Sequence, residues 1–163
     1  MDQQKFLKPA LWAALGYIAI MAVGMFTAGR VFGMRYPEPN MVYVLVFFEI
    51  AMSLYAIVMA RRIFGHWHCG FGPIDWRGLV WLTPNFALMA VLFYLAFTTG
   101  KVVASGLVLV VIVTMILVGF SEELVFRGIV LQGGLRDASR GKVILISAAM
   151  FASLHSVKPG NRR

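Results

Sequence analysis

The sequence predicts an all-α polytopic membrane protein made of about five transmembrane helices. Three observations carry this prediction: 60% of the 163 residues are hydrophobic, only 13% are charged, and uncharged hydrophobic runs recur along the chain. A soluble domain has roughly 25% charged residues, so this chain lacks the polar surface that water requires. The runs approach the 20 or so apolar residues of a membrane-crossing helix, and they are too long for the strands of a membrane barrel.

The first two hydrophobic runs lie on either side of a proline-containing turn. The first covers residues 10–29 without a charge. It is longer than the core of a signal peptide and lacks a convincing small-x-small cleavage site, so we expect a retained helix. The second covers residues 41–60 and contains one acid, Glu49. An ionisable group inside a membrane helix is costly, and Glu49 is therefore a candidate functional residue.

The third run covers residues 79–99, with Pro84 near its start as a candidate kink. The fifth run covers residues 143–157. The sequence shows no internal repeat, low-complexity tract or linker between these runs. We therefore expect residues 1–163 to form a single transmembrane domain.

The fourth run begins after Lys101 and is rich in β-branched residues over 107–118. That composition favours a strand in water, but its length and the membrane constraint favour a helix. We expect this helix to continue through a polar segment to about Gln132 and to end at Gly133-Gly134.

The basic residues predict membrane lipids as partners and a cytoplasmic N-terminus. The net charge is +8, and the Lys and Arg residues lie mainly between and beyond the hydrophobic runs. There they orient helices and contact anionic headgroups, so we expect no nucleic acid partner. With five crossings and a cytoplasmic N-terminus, eight basic residues would lie on the cytoplasmic side and six on the other, or three if the C-terminal tail is set aside. The eight are Lys5, Lys8, Arg61, Arg62, Arg77, Arg136, Arg140 and Lys142, and the six are Arg30, Arg35, Lys101, Lys158, Arg162 and Arg163.

The polar segment of the fourth run contains two adjacent acids and an arginine, Glu122, Glu123 and Arg127. Charges on an apolar helix usually face a bundle interior or a wet cavity, because exposing them to lipid is costly. Glu123 and Arg127 are four residues apart with the acid first, which favours an ion pair along one face. Glu122 is rotated by about 100° on a regular helix, so it is free to accept a proton elsewhere.

A second polar group, His155, lies inside the fifth run. Glu122 is 11 residues before Gly133, or about 16 Å of helix, and His155 is 13 residues after Lys142, or about 20 Å. A hairpin that turns across 133–141 therefore brings Glu122 and His155 to a similar depth. A carboxylate and an imidazole in a partly dry pocket can activate water or bind a metal.

Structural explanations of the same residues are also available. A Glu-Arg pair near a membrane boundary is often an interfacial anchor, and a single His is often a hydrogen-bonded packing residue. His66, His68 and Cys69 form another candidate metal site, but their spacing suits a tetrahedral site poorly.

Both polar segments together resemble the CPBP family of intramembrane proteases. Glu122-Glu123-Leu-Val-Phe-Arg127 resembles its Glu-Glu-x-x-x-Arg motif, and Phe151-Ala-Ser-Leu-His155 resembles its Phe-x-x-x-His motif. The resemblance covers about residues 105–157. This family includes CAAX prenyl endopeptidases and bacterial Abi proteins linked to bacteriocin self-immunity. The expected location is consequently a bacterial cell membrane.

The resemblance implies an endopeptidase that acts on prenylated or hydrophobic peptides. It implies that Glu122 activates the attacking water and that His155 assists it. It also implies either a zinc ion held by Glu122 and His155 or a glutamate-activated water without metal. Glu123 and Arg127 would orient the site or help to contain the substrate.

The sequence departs from the family pattern after His155. Family members carry a third motif on a later helix, a His followed four positions on by Asn or Asp, whereas only Ser156-Val-Lys-Pro-Gly-Asn-Arg-Arg163 follows here. We therefore expect a family member cut short after its second motif and not competent as a protease by itself. The alternative is a non-catalytic membrane protein that binds a partner or acts in bacteriocin immunity. A third histidine motif, supplied by further sequence or by an oligomeric partner, would distinguish the two.

Overall fold

The computed structural model describes residues 5–34, 38–66, 80, 83–100 and 106–156. Within these ranges the chain forms five helices and no strand, which confirms the predicted all-α fold. The helices are α1 (Leu7–Val31), α2 (Val42–Phe64), α3 (Thr83–Thr98), α4 (Gly106–Asp137) and α5 (Arg140–Ser156). A short 3-10 turn, Pro39–Met41, precedes α2. By length and composition α1, α2 and α4 are able to cross a membrane.

The helix ends depend on individual basic, glycine and proline residues, which the hydrophobic runs do not reveal. α2 continues past the predicted residue 60 through Arg61 and Arg62, since basic side chains are favourable at a helix C-terminus. It ends at Gly65, whose φ of 81° places it in the left-handed region. α3 begins at Thr83, so Pro84 lies in its first turn and does not kink it. None of the described side chains of α3 is buried.

The prediction that Gly133-Gly134 ends the fourth helix is wrong. α4 passes through both glycines to Asp137, and the chain turns at Ala138, whose backbone is extended. A Cβ on Gly134 would lie 2.6 Å from Cγ1 of Val143, and one on Gly133 would lie 3.3 Å from Cβ of Ala10. These glycines therefore allow close packing of helices rather than a turn. The hairpin turn falls at 138–139, and α5 begins three residues earlier than predicted.

The core lies where α1, α2, α4 and α5 meet. α1 contributes a face of small residues, including Ala10, Ala13 and Ala14, which are fully buried. Small residues let helix backbones approach closely, which is how helices associate in lipid. The remaining core positions come from α2, α4 and α5, namely Met52, Ala56, Ala60, Leu124, Val125, Phe126, Ile129, Val130 and Leu154. Large hydrophobic side chains also cover the outside of the bundle, as expected of a surface that contacts lipid.

The C-terminal end of α4 is fastened to α1 and α2. The Asp137 carboxylate accepts hydrogen bonds from the backbone N–H groups of Phe6 (2.5 Å) and Leu7 (2.7 Å) at the start of α1. The neighbouring Arg136 guanidinium lies over the rings of Phe6 and Phe64, 4.7 and 4.9 Å from their centroids. Those two rings stack on each other, 5.9 Å apart. Asp137 thus caps a helix that is more than a hundred residues away in sequence.

Replacing Asp137 with Ala is expected to lower the free energy of unfolding by about 1 kcal/mol, because the first N–H groups of α1 lose their acceptor. Asp137→Asn keeps an acceptor oxygen and should lose less. Reversible unfolding of the purified protein in detergent measures both variants. Equal stability of wild type and Asp137→Ala would show that this cap contributes nothing.

Candidate active site

The polar motif lies in a locally widened part of α4. Residues Glu123–Leu131 are π-helical, with hydrogen bonds spanning five residues rather than four. π-helical segments are rare and are often found at functional sites. The regular 3.6-residue spacing used above for Glu122 and Glu123 therefore does not continue through the motif. The sequence contains no local feature, such as a proline, that predicts this widening.

The predicted ion pair within the motif is present. Arg127 Nη1 lies 3.2 Å from Glu123 Oε2. The Arg127 side chain is 75% exposed and that of Glu123 is 47% exposed. Such exposed pairs usually contribute little to stability, so this pair is better suited to orienting its members than to holding the helix together.

A groove of about 300 Å³ opens between α4 and α5 and brings residues of both motifs together. Glu122, Glu123 and Arg127 from the first motif line it, together with Phe151 from the second. The other lining residues are Phe126, Leu131, Ile144, Ser147 and Ala148. The groove is therefore largely apolar, with two carboxylates and one guanidinium along one wall.

Contacts across the groove floor fix α5 against α4. The Ser147 hydroxyl donates a hydrogen bond to the carbonyl of Phe126 at 2.9 Å. The Phe126 ring makes edge-to-face contacts with Phe151, at 5.4 Å, and with Tyr17 of α1, at 5.9 Å. This row of rings runs from α1 to α5. It connects the two helices that bear the motifs.

His155 lies on α5, one turn beyond Phe151. Its ring is exposed and packs 4.6 Å from the Phe151 ring. Nδ1 lies 3.1 Å from the Phe151 carbonyl oxygen. Because a carbonyl only accepts, this bond needs the proton on Nδ1 and leaves Nε2 as the ring nitrogen available to a proton. His155 does not line the groove, but it lies within electrostatic range of Glu122.

Three further polar side chains near Glu122 are buried and come from α1, α2 and α4. Tyr17 of α1 and Ser121 of α4 share a hydrogen bond of 2.7 Å between their hydroxyls. Glu49 of α2 is only 3% exposed and lies within electrostatic range of Glu122. Sequence reasoning missed Tyr17 and Ser121. The available signals were a tyrosine in an uncharged run and a serine directly before the two acids.

The described residues do not form a metal site with three or more protein ligands. No group of three His, Cys, Asp or Glu side chains comes together within the described ranges. Glu122 and His155 would supply two ligands at most, fewer than the three protein ligands of a typical catalytic zinc site. Of the other candidate metal site, His68 and Cys69 lie outside the described residues.

The Glu123–Arg127 pair is expected to couple weakly in stability. Because both side chains are substantially exposed, a double-mutant cycle of Glu123→Ala and Arg127→Ala should give a coupling free energy below about 1 kcal/mol. Unfolding of the two single variants and the double variant in detergent measures it. A coupling of about 3 kcal/mol or more would reveal a desolvated pair instead.

Comparison with known proteins identifies the part of the chain that carries these motifs. Residues 104–161 match the family model described as Rce1-like, type II CAAX prenyl endopeptidase. The match covers about a third of the chain and includes both motifs, and it confirms the resemblance found in the sequence. No curated protein and no solved structure matches the chain. The family match and the three long apolar helices together make this an integral membrane protein.

Proposed function

We propose that this protein hydrolyses a peptide bond of a prenylated or hydrophobic substrate at the membrane, because residues 104–161 match the Rce1-like CAAX prenyl endopeptidase family model. The observation that supports the proposal best is the groove between α4 and α5. There the acids and arginine of the first motif face Phe151 of the second across an apolar floor. A peptide with hydrophobic side chains or a lipid group fits such a lining better than a polar ligand does.

Glu122 is the proposed base. It is partly buried and lines the groove, so a water molecule beside it is removed from bulk solvent while the carboxylate remains accessible. A carboxylate in that position can take a proton from the attacking water. The ion pair between Glu123 and Arg127 leaves Glu122 without an arginine partner on its own helix. Glu123 would therefore orient Arg127, and Glu122 would act as the base.

Arg127 is proposed to stabilise the oxyanion of the tetrahedral intermediate, and His155 is proposed to protonate the leaving amine. The Arg127 guanidinium is largely exposed on the groove and has N–H groups beyond the one directed at Glu123. It can donate to the oxyanion of a tetrahedral intermediate. His155, whose Nδ1–H donates to the Phe151 carbonyl, can accept at Nε2 the proton that Glu122 has taken from the water and pass it to the leaving amine, which restores the Glu122 carboxylate.

Replacing Glu122 with Gln should lower the turnover number at least 100-fold, because an amide of the same shape cannot accept the proton. The assay follows cleavage of a farnesylated CAAX peptide in proteoliposomes, using the 163-residue chain and the chain extended by any sequence that its gene encodes beyond Arg163. KM should change little. Glu38→Gln, which removes an exposed carboxylate before α2, is the matched control.

Two results would contradict the proposal. Cleavage that survives Glu122→Gln would remove Glu122 from the role of base. Failure of both forms of the chain to cleave any prenylated or hydrophobic peptide would remove the proposed activity itself.

A further inference from the structure

The ends of four helices meet at one end of the bundle. The stacked rings of Phe6, just before α1, and Phe64, the last residue of α2, lie beneath the Arg136 guanidinium of α4. The Asp137 carboxylate accepts hydrogen bonds at the start of α1, and α5 begins three residues later at Arg140. This part of the molecule, the basic end, carries seven exposed cations among the described residues. They are Lys5, Lys8, Arg61, Arg62, Arg136, Arg140 and Lys142.

The positive charge of the basic end is not neutralised by acids of the described residues. Asp137 is the one acid described there, and its hydrogen bonds come from backbone N–H groups of the α1 start. The ion pair between Glu123 and Arg127 belongs to the groove. At the opposite end of the bundle the described Asp, Glu, Lys and Arg residues are Arg30 and Glu38, whose charges cancel. A concentrated positive patch at one end attracts an anionic partner.

Helix stability explains only part of this charge. The cations at the ends of α2 and α4 lie in last turns, where the helix dipole favours positive charge. Lys8, Arg140 and Lys142 instead lie in the first turns of α1 and α5, which contain no acid of their own. The dipole favours negative charge at those positions. Each of these three cations therefore raises the free energy of its own helix, which an anion bound nearby would offset.

Apolar surface beside the cations indicates which kind of anion fits. Leu135, the neighbour of Arg136, is 39% exposed, and Leu145, three residues after Lys142, is 72% exposed. α1 begins and α2 and α4 end at this level, and all three are long and apolar enough to cross a membrane. The basic end therefore lies at the depth of the lipid headgroups. A phospholipid joins an anionic phosphate to apolar chains and matches both surfaces, whereas a nucleic acid or an acidic protein matches the cations alone.

We propose that the basic end is a binding site for an anionic phospholipid, whose phosphate contacts Arg136, Arg140 and Lys142 and whose acyl chains lie along Leu135 and Leu145. Arg136 is its fixed point, because stacking on two rings orders the guanidinium and leaves it exposed. An ordered guanidinium loses less freedom on binding phosphate than a mobile one does. None of these cations lines the groove, so the site does not depend on the proposed hydrolysis.

Lipid titration of the whole protein in an uncharged detergent, followed by native mass spectrometry, tests this site. The wild type should bind phosphatidylglycerol about tenfold more tightly than phosphatidylcholine, because only the former carries a net negative charge. Arg136→Gln and Arg140→Gln should each weaken the binding of phosphatidylglycerol about fivefold, which corresponds to about 1 kcal/mol per cation. Arg30→Gln, which removes an exposed cation at the opposite end, is the matched control and should stay within about twofold of wild type.

The two test variants differ in their structural risk. Arg136→Gln removes a cation stacked on Phe6 and Phe64, so its melting temperature in detergent is measured beside its lipid affinity. Arg140 is exposed, and its side chain has no hydrogen bond or ion pair within the described ranges. Arg140→Gln should therefore keep the melting temperature of the wild type and still lose affinity for phosphatidylglycerol.

Three results would overturn the proposal. Equal affinity of the wild type for the two lipids would show that the basic end does not select an anionic headgroup. An equal loss of affinity in Arg30→Gln and Arg140→Gln would show that only the total charge matters. Binding of glycerol phosphate, a poly-glutamate peptide or single-stranded DNA as tightly as phosphatidylglycerol would assign the surface to a soluble anion instead.

Discussion

Close packing of α4 against the small-residue face of α1 positions the rest of the structure. Ala10, Ala13 and Ala14 present no side chain larger than a methyl group, and the core side chains of the π-helical segment of α4 fill the space beside them. Helices in lipid gain little from the hydrophobic effect, so shape and internal hydrogen bonds decide how they associate. With α4 held in this way, its buried face is fixed. The charged motif must then point to the opposite side, where α5 completes the groove.

The π-helical segment of α4 has a buried face and a face on the groove. Its interior face needs a continuous row of apolar side chains, including Leu124, Val125 and Ile129, and these are fully buried. Its other face carries Glu123 and Arg127, which line the groove within ion-pair distance of each other. Within this segment the carbonyl of Phe126 accepts a hydrogen bond from the Ser147 hydroxyl of α5. Local backbone irregularity and the neighbouring helix are thus parts of the same arrangement.

The polar groups around Glu122 differ in their exposure, and this difference gives them distinct chemistry. Arg127 and His155 are exposed, Glu122 is partly buried, and Glu49 is buried. Along that series water becomes less available, so an ionised group becomes steadily more costly. A base at the boundary between a groove and a dry interior can hold a charge and still be kept from bulk water. This gradient is the physical basis of the proposed hydrolysis.

The sequence by itself determined the all-α membrane fold, the approximate positions of the five helices and the Glu123–Arg127 pair. Each of these depends on hydrophobicity or on spacing along one helix, which are local properties. Only the tertiary structure decided the role of Gly133 and Gly134, because a glycine in a close helix contact and a glycine in a turn look alike in sequence. The same holds for the cap formed by Asp137 and for the hydrogen bond between Tyr17 and Ser121. These interactions join residues on different helices. The periodicity of one helix does not predict which other helix its residues will contact.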